Sequence, residues 1–419
     1  MNFLRALKSY TKPDILVILF LGLSSGLPLA LILSTLKAYL VDGGVDLKTI
    51  GLFSVASLPY SLKFLWAPIV DSLEIPYLTQ KLGKRRSWMI ITQFLLMILI
   101  ASIGAYNAGE DIKIIAILAL AVCFVSATQD IVVDAYRIEE IKPEDQGIAT
   151  GMYVYGYRIG MLISGALALF LSDLIDWSLV YLIIASVMMI GIITTMIAKE
   201  DLKRAKNQSH NLVEWFKNSV ISPLTDFFHH PKWYIVFPFI IAFKLGDVFA
   251  GTLTLPFLLD IGFSKTEIAQ IVKTFGLFAT LFGVFIGGIL VKSWGLNKSL
   301  WIAGILQMTS NLAFAYQAEL GHYTPSLYAV VFIENFSGGI GDAVFVAYLS
   351  SLCNVAFTAT QYAILVSFAT MSRSILSSSA GVFAELLGWR SFFFLSAMVA
   401  IPGLLLLSIL TSKFFIKKS

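Results

Sequence analysis

The run IIAILALAVCFVSATQDIVVDAYR, residues 114–137, decides the fold. A helix needs about 20 mostly apolar residues to cross a bilayer, and this run supplies them. It then continues, with no glycine or proline to stop it, into two aspartates. Asp130 and Asp134 are four apart, so on a helix they share one face. A charge inside a membrane costs about 3 kcal/mol or more and normally faces a cavity where it finds a partner. The stretch therefore reads as a membrane helix with one stripe turned toward a polar interior.

The rest of the chain agrees. Of 419 residues, 58% are hydrophobic and only 13% are charged, with a mean hydropathy of +0.82. A soluble protein would carry about 25% charged residues. Apolar runs recur from end to end, and they lack the period-two alternation of a β-barrel. Cys123 and Cys353 both fall in apolar runs, so no disulfide framework is expected. No metal-ligand spacing, Walker loop or dinucleotide fingerprint is present, and no cleavable signal peptide is evident.

Twelve spans are expected, at 15–40, 49–72, 87–107, 112–135, 146–172, 178–198, 234–259, 265–292, 298–319, 324–351, 357–384 and 390–412. The longest polar interval divides them six and six. This gives a first bundle at 1–198, a linker at 199–233 and a second bundle at 234–419. In the linker, Val213, Phe216, Val220, Leu224 and Phe227 recur at helical spacing, as in a helix lying on a membrane surface. Of the 30 lysines and arginines, 20 fall on the side of the termini and four (Lys48, Lys113, Lys265, Arg390) on the other. That asymmetry predicts cytoplasmic termini.

The halves echo each other. DIVVDAY (130–136) is similar to DAVFVAY (342–348), and QGIATGMYVYGYR (146–158) aligns with QYAILVSFATMSR (361–373). Gln146 then overlies Gln361, and Arg158 overlies Arg373. VDLKTIG (45–51) is similar to FSKTEIA (263–269). Six plus six parallel repeats resemble the major facilitator superfamily, an all-α membrane fold of two pseudo-symmetric halves. Asp71 with GKRR (83–86) resembles the loop signature of that superfamily, and GGILVKSWGLNK (287–298) a degraded second copy. The resemblance makes Asp71, Arg85 and Arg86 a gating latch; a merely topogenic positive loop is the alternative.

Six cations remain inside the spans: Lys37, Lys63, Arg158, Lys244, Lys273 and Arg373. The acidic residues there are Asp130, Asp134, Asp247, Glu334 and Asp342. In the superfamily, spans 1, 2, 4, 5, 7, 8, 10 and 11 line the cavity, and all eleven residues fall on those spans. Asp130 and Asp134 are candidates for proton coupling or for a salt-bridge set with Arg137 or Arg158. Asp134, beside Arg137, is the more structural of the two. Arg158 and Arg373 suit a ligand carboxylate, or equally Asp130 or Asp342. Lys244 and Asp247, at i and i+3, can satisfy each other. Glu334, Gly338 and Asp342 form one stripe. Tyr153 and Tyr157, with Tyr60 and Tyr136, can stack on sugar rings or serve as packing. Gln129, Gln146 and Gln361 can read hydroxyl or peptide groups. The ligand-contact set is thus Lys63, Tyr60, Gln129, Tyr153, Tyr157, Arg158, Lys244, Asp247, Glu334, Asp342, Gln361 and Arg373.

A narrower resemblance rests on SSGLPLALILSTLKAYL (24–40), VDLKTIGLFSVASLPYSLKFLWAPIVD (45–71), GKRRSWMIITQ (83–93), SATQDIVVDAYR and YVYGYRIGMLISG (153–165). In that order they resemble the anhydromuropeptide permease, or AmpG, family. The second half resembles it more loosely, through FPFIIAFKLGD (237–247) and the glycines of span ten. The resemblance implies a monomeric importer in the bacterial inner membrane. It would carry GlcNAc-anhydroMurNAc and its peptides from periplasm to cytoplasm, driven by protons, for cell-wall recycling. It implies no enzyme activity, cofactor, metal or nucleic-acid partner. Some members of that family have two more spans than are found here. The alternatives are a carrier of another anionic metabolite, such as a coenzyme A conjugate, and a non-transporting sensor on the same fold.

Overall fold

The computed structural model describes residues 3–201, 217–229 and 232–411. Twelve helical spans succeed one another across the molecule, and there is no strand among the described residues. They are α1 (Pro13–Asp42), α2 (47–72), α3 (Lys84–Gly104), α4 (Ile112–Glu140), α5 (Pro143–Ser172) and α6 (Trp177–Ile197), then α7 (Trp233–Asp260), α8 (Lys265–Trp294), α9 (Leu296–Leu320), α10 (Thr324–Ser351), α11 (from Thr358) and α12 (389–411). Among the described residues, nine helices are long and apolar enough to cross a membrane by length and composition. Within each half short links make neighbours antiparallel, and the start of α1 and the end of α12 lie on one side, here called the terminal side.

The spans that fall short of that criterion include α2 and α11, and the reason is local chemistry. The second span is a relay of short helices, Leu47–Leu52, Leu58–Leu62 and Ala67–Ser72, joined by 3₁₀ turns at Phe53–Ser57 and Lys63–Leu65. Pro59 and Pro68 each open one of these helices, because proline has no N–H to give the preceding turn. The span expected over 49–72 is present, as a chain of short helices and not as one continuous helix. The run expected over 357–384 also changes. Thr358–Ser377 ends at a turn where the Ser378 and Ser379 hydroxyls donate to the carbonyls of Ile375 and Leu376. Helix then resumes to Gly388, whose φ of 71° separates α11 from α12. In α7 the helix breaks at Phe243 and Lys244, so Lys244 starts a new helical segment, Leu245–Asp260.

Val213 and Phe216 of the expected surface helix lie outside the described residues. Of its remainder, Phe227 is buried in a cluster with Val236, Phe239 and Tyr362, while Leu224 is exposed.

Two helix pairs make the tightest backbone contacts among the described residues. In the first half, a Cβ on Gly156 of α5 would lie 1.8 Å from the Leu19 carbonyl oxygen of α1, and one on Gly26 of α1 would lie 2.0 Å from that of Tyr157. In the second half, Gly283 of α8 and Gly339 of α10 stand in the same relation to Phe336 and Thr280. Small residues let membrane helices approach this closely. Gly156→Ala must force α1 and α5 apart. It is expected to destabilise the protein by about 1–3 kcal/mol, read as a lower thermal midpoint in detergent. Gly381→Ala, which meets nothing within 4 Å, should leave the midpoint unchanged.

The halves meet at the terminal side. Asp145 of α5 bridges Lys12 (2.6 Å) and, across the halves, Lys292 of α8 (2.9 Å), which also pairs with Glu144. Tyr10 donates to the Phe285 carbonyl and Tyr155 to that of Leu281, carrying the seam into the middle of the molecule. Beyond that level the interior widens into a cavity of about 370 Å³, lined by residues of α5, α7, α8 and α10.

Candidate functional site

The opening stretch places its two aspartates in different surroundings. Asp130 lies ten residues inside the terminal end of α4, about 15 Å along the helix. It is buried. The Tyr153 hydroxyl of α5 donates to it at 3.4 Å, and Ser25 of α1 and Lys63 of α2 face it. Lys63 is itself buried and stands on a 3₁₀ turn of α2. Of the alternatives open for the two arginines, pairing with Asp130 is not made by either. Arg158 lies on the cavity wall, and Arg373 packs its guanidinium over Phe345 at 5.5 Å.

Around Asp130 the rings of Tyr153 and Tyr157 are 5.8 Å apart, and the Tyr60 hydroxyl donates to Ser126 at 2.8 Å. Gln129 donates to Ser24 and Ser25, which ties α4 to α1. Tyr136 is spent elsewhere, on the Lys199 carbonyl.

Asp134 belongs to the seam. Arg137, fully buried, donates to Asp134 at 3.3 Å, to Gln146 at 3.1 Å and, across the halves, to Ser350 at 3.1 Å, and it lies over the Tyr362 ring. A buried arginine with this many partners is held by geometry, and removing one leaves charge uncompensated.

The second half carries its own polar cluster. Lys244 Nζ lies 2.5 Å from Asp342 and 3.2 Å from Asp247, so the spacing-based pair is present with a second carboxylate added. Gln307 of α9 donates to Asp247. Glu334 accepts from Asn335 at 2.6 Å and lines the cavity with Arg158 and Lys273. Gln361 is not there. It is fully buried, donates to Asp226 and the Pro223 carbonyl, and accepts from the Asn354 N–H. Its repeat mate Gln146 does the same, donating to the carbonyls of Arg137, Ile138 and Ile141. Both amides fasten loops, which corrects the expected ligand contact for Gln361.

At the terminal ends of α2 and α3, Arg85 is buried between Asp71 and Glu139, at 2.6 Å from each. Asp71 also accepts the N–H groups of Ala359 (3.3 Å) and Thr360 (2.6 Å) at the start of α11. The Asp71 carboxylate thus caps a helix of the opposite half, where free N–H groups and the helix dipole favour an anion. Arg86 does not cross the halves; it donates to the carbonyls of Thr195 and Met196 at the end of α6.

The sequence reading missed the Asp145–Lys292 bridge and the Glu139 partner; it set Lys273 on a cavity-lining span without giving it a contact. Lys273 alone left a signal, as an unassigned cation inside a span.

Twelve spans in two echoing halves, meeting around buried charges, define an architecture. A sequence profile described as Major Facilitator Superfamily matches residues 18–333. The chain belongs to the major facilitator superfamily. Its members here are transporters, not enzymes. The chain is 39% identical over 403 residues to the protein named anhydromuropeptide permease of Escherichia coli K12, covering 96% of this chain and 80% of that one. It is 37% identical over 416 residues to putative transporter AmpG 4 of Rickettsia conorii, covering 98% and 99%. Among solved structures, the fucose:proton symporter FucP of E. coli superposes with a TM-score of 0.70 at 14% identity, covering 97% of this chain and all of that one. The human organic anion transporter MFSD10 gives 0.68 at 15% identity, covering 94% and 99%. At such identity these superfamily likenesses speak for the fold.

Proposed function

We propose that the protein is a proton-coupled importer of peptidoglycan fragments, GlcNAc-anhydroMurNAc and its peptides, working by alternating access in a bacterial inner membrane. The moving bodies are residues 1–198 and 234–419, joined by the linker 199–233. The excess of lysine and arginine puts the terminal side in the cytoplasm, and on that reading the closed seam faces the cytoplasm. The relatives named for this substrate support the ligand class.

The observation that carries the coupling is Asp130: a buried carboxylate with one facing lysine, a tyrosine hydroxyl and a serine, just above a closed seam. A proton arriving from the periplasm neutralises Asp130 and releases Lys63, which becomes a free cation for the ligand. Loss of that proton toward the cytoplasm restores the pair and expels the ligand's anionic group. Asp134, held by Arg137, keeps the seam in register.

The test is uptake of radiolabelled GlcNAc-anhydroMurNAc-peptide into proteoliposomes, acidic outside, with the potential clamped. Accumulation that a protonophore abolishes is expected. Failure of folded, inserted protein to take it up would leave the fold intact and remove this substrate. A carrier of another anionic metabolite is then next in line, because the cavity carries cations.

A further inference from the structure

Two cations face one cavity from opposite halves with no direct ion-pair partner, and a single carboxylate, Glu334, shares the wall with them. Arg158 of α5 and Lys273 of α8 both line the 370 Å³ space, and neither makes an ion pair or hydrogen bond with a described residue. Of the other in-span cations, Lys63 and Lys244 face carboxylates and Arg373 lies over the Phe345 ring. Lys273 stands on a π-helical segment, Ala269–Phe275. Such segments cost regular hydrogen bonding and recur at functional positions. The wider turn changes which residues of α8 face inward, and Lys273 is among them.

The remaining polar wall is fixed. Thr280 donates to Asn335 at 2.9 Å, and Asn335 donates to Glu334 at 2.6 Å, which orients one carboxylate toward the same space. Leu255, Leu258 and Leu277 complete an apolar floor. A simple anion would meet Glu334, and a neutral sugar would leave two cations desolvated without compensation. A group with both signs of charge on a short apolar stem satisfies every wall.

We propose that this cavity binds the zwitterionic end of a short peptide, with its carboxylate between Arg158 and Lys273 and its ammonium at Glu334. The inference rests on the muropeptide reading only for the sugar to which the peptide is attached. It also gives the ligand a mechanical role. An empty cavity holds two like charges on opposite halves, which repel; a carboxylate between them draws the open side together. A ligand shifts an equilibrium only by its differential affinity for the two states, and this group touches both halves only when they approach.

The experiment is competition binding to the purified full chain in nanodiscs. Three probes are compared: a GlcNAc-anhydroMurNAc-tripeptide with a free amine and carboxylate on its last residue, the same ligand with that amine acetylated and that carboxylate amidated, and the sugar-free tripeptide. The uncapped ligand is expected to bind about tenfold tighter than the capped one, the scale of one charge-assisted hydrogen-bonded pair. Arg158→Gln and Lys273→Gln should each erase that preference, and Glu334→Gln should erase only the part due to the amine. Equal binding of uncapped and capped ligands by the unaltered protein overturns the proposal. So does a preference that persists in the Arg158→Gln/Lys273→Gln double variant, and so does failure of every probe to bind. If the sugar ligands do not bind but the sugar-free peptide does, with the same dependence on Arg158 and Lys273, the subsite stands and the muropeptide reading falls.

Discussion

Asp130→Asn is expected to abolish gradient-driven accumulation while leaving ligand exchange intact. Asparagine has the shape of the protonated carboxyl and cannot release a proton. The variant is locked in the state that frees Lys63, so it can load ligand from either side and swap it across the membrane. It cannot use a proton gradient to concentrate it. Uptake by the unaltered protein should rise as the outside is acidified, because the loading form is the protonated one. In the variant that dependence should be flat. Counterflow in proteoliposomes measures the exchange and also shows that the variant is folded. If Asp130→Asn still accumulates ligand against a gradient, the coupling carboxylate lies elsewhere. The Lys244–Asp247–Asp342 cluster with Glu334 is then the first place to look.

Asp71→Asn should open the terminal side. The carboxylate accepts three bonds at once, from Arg85 and from the N–H groups of Ala359 and Thr360, so it joins α3 to α11 across the halves. Each charge-assisted bond contributes about 1.5–3 kcal/mol. Losing the charge should move the balance between closed and open seams by about tenfold to a hundredfold. A reporter is available in Ile289, which is buried with Ile15, Ile131 and Ile148 of the other half. In a background with Cys123 and Cys353 replaced by alanine, Ile289→Cys should react with a maleimide added at the terminal side about ten times faster when Asp71→Asn is present. An unchanged rate would show that Asp145–Lys292 and Arg137 hold the seam without Asp71. Arg86→Gln is the matching control, since Arg86 stays within its own half.

The sequence made some of this legible and hid the rest for identifiable reasons. The stripe of Asp130 and Asp134 was readable because a carboxylate in an apolar run is costly, and helix spacing alone puts the two on one face. The Lys244–Asp247 pair was readable for the same reason. Asp71 stood out through its neighbourhood of basic residues. What spacing does not encode is the partner on another helix. Arg158 suited Asp130 no better than a ligand carboxylate, and the cation that faces Asp130 is Lys63, brought there by a 3₁₀ turn after Pro59. Lys273 was visible as a charge, but a π-helical segment decides where it points. Gln361 looked like a binding amide because amides suit sugars and peptides equally well as they suit loop carbonyls. Breaks in helical regularity, each caused by a few residues, account for most of the distance between the sequence and the site.

The glycine contacts have a mechanical consequence. The two tightest pairs, α1–α5 and α8–α10, are not symmetry mates, since the mate of α1–α5 would be α7–α11 and that of α8–α10 would be α2–α4. Helices α5 and α8, one from each pair, adjoin along one seam. The opposite seam is built from α2 and α11, both interrupted. Such a body turns like a bound book, with a stiff spine along α5 and α8 and loose leaves at α2 and α11. Spin-label distances across the leaves should carry most of the travel, and those across the spine the smaller share that brings Arg158 and Lys273 toward each other.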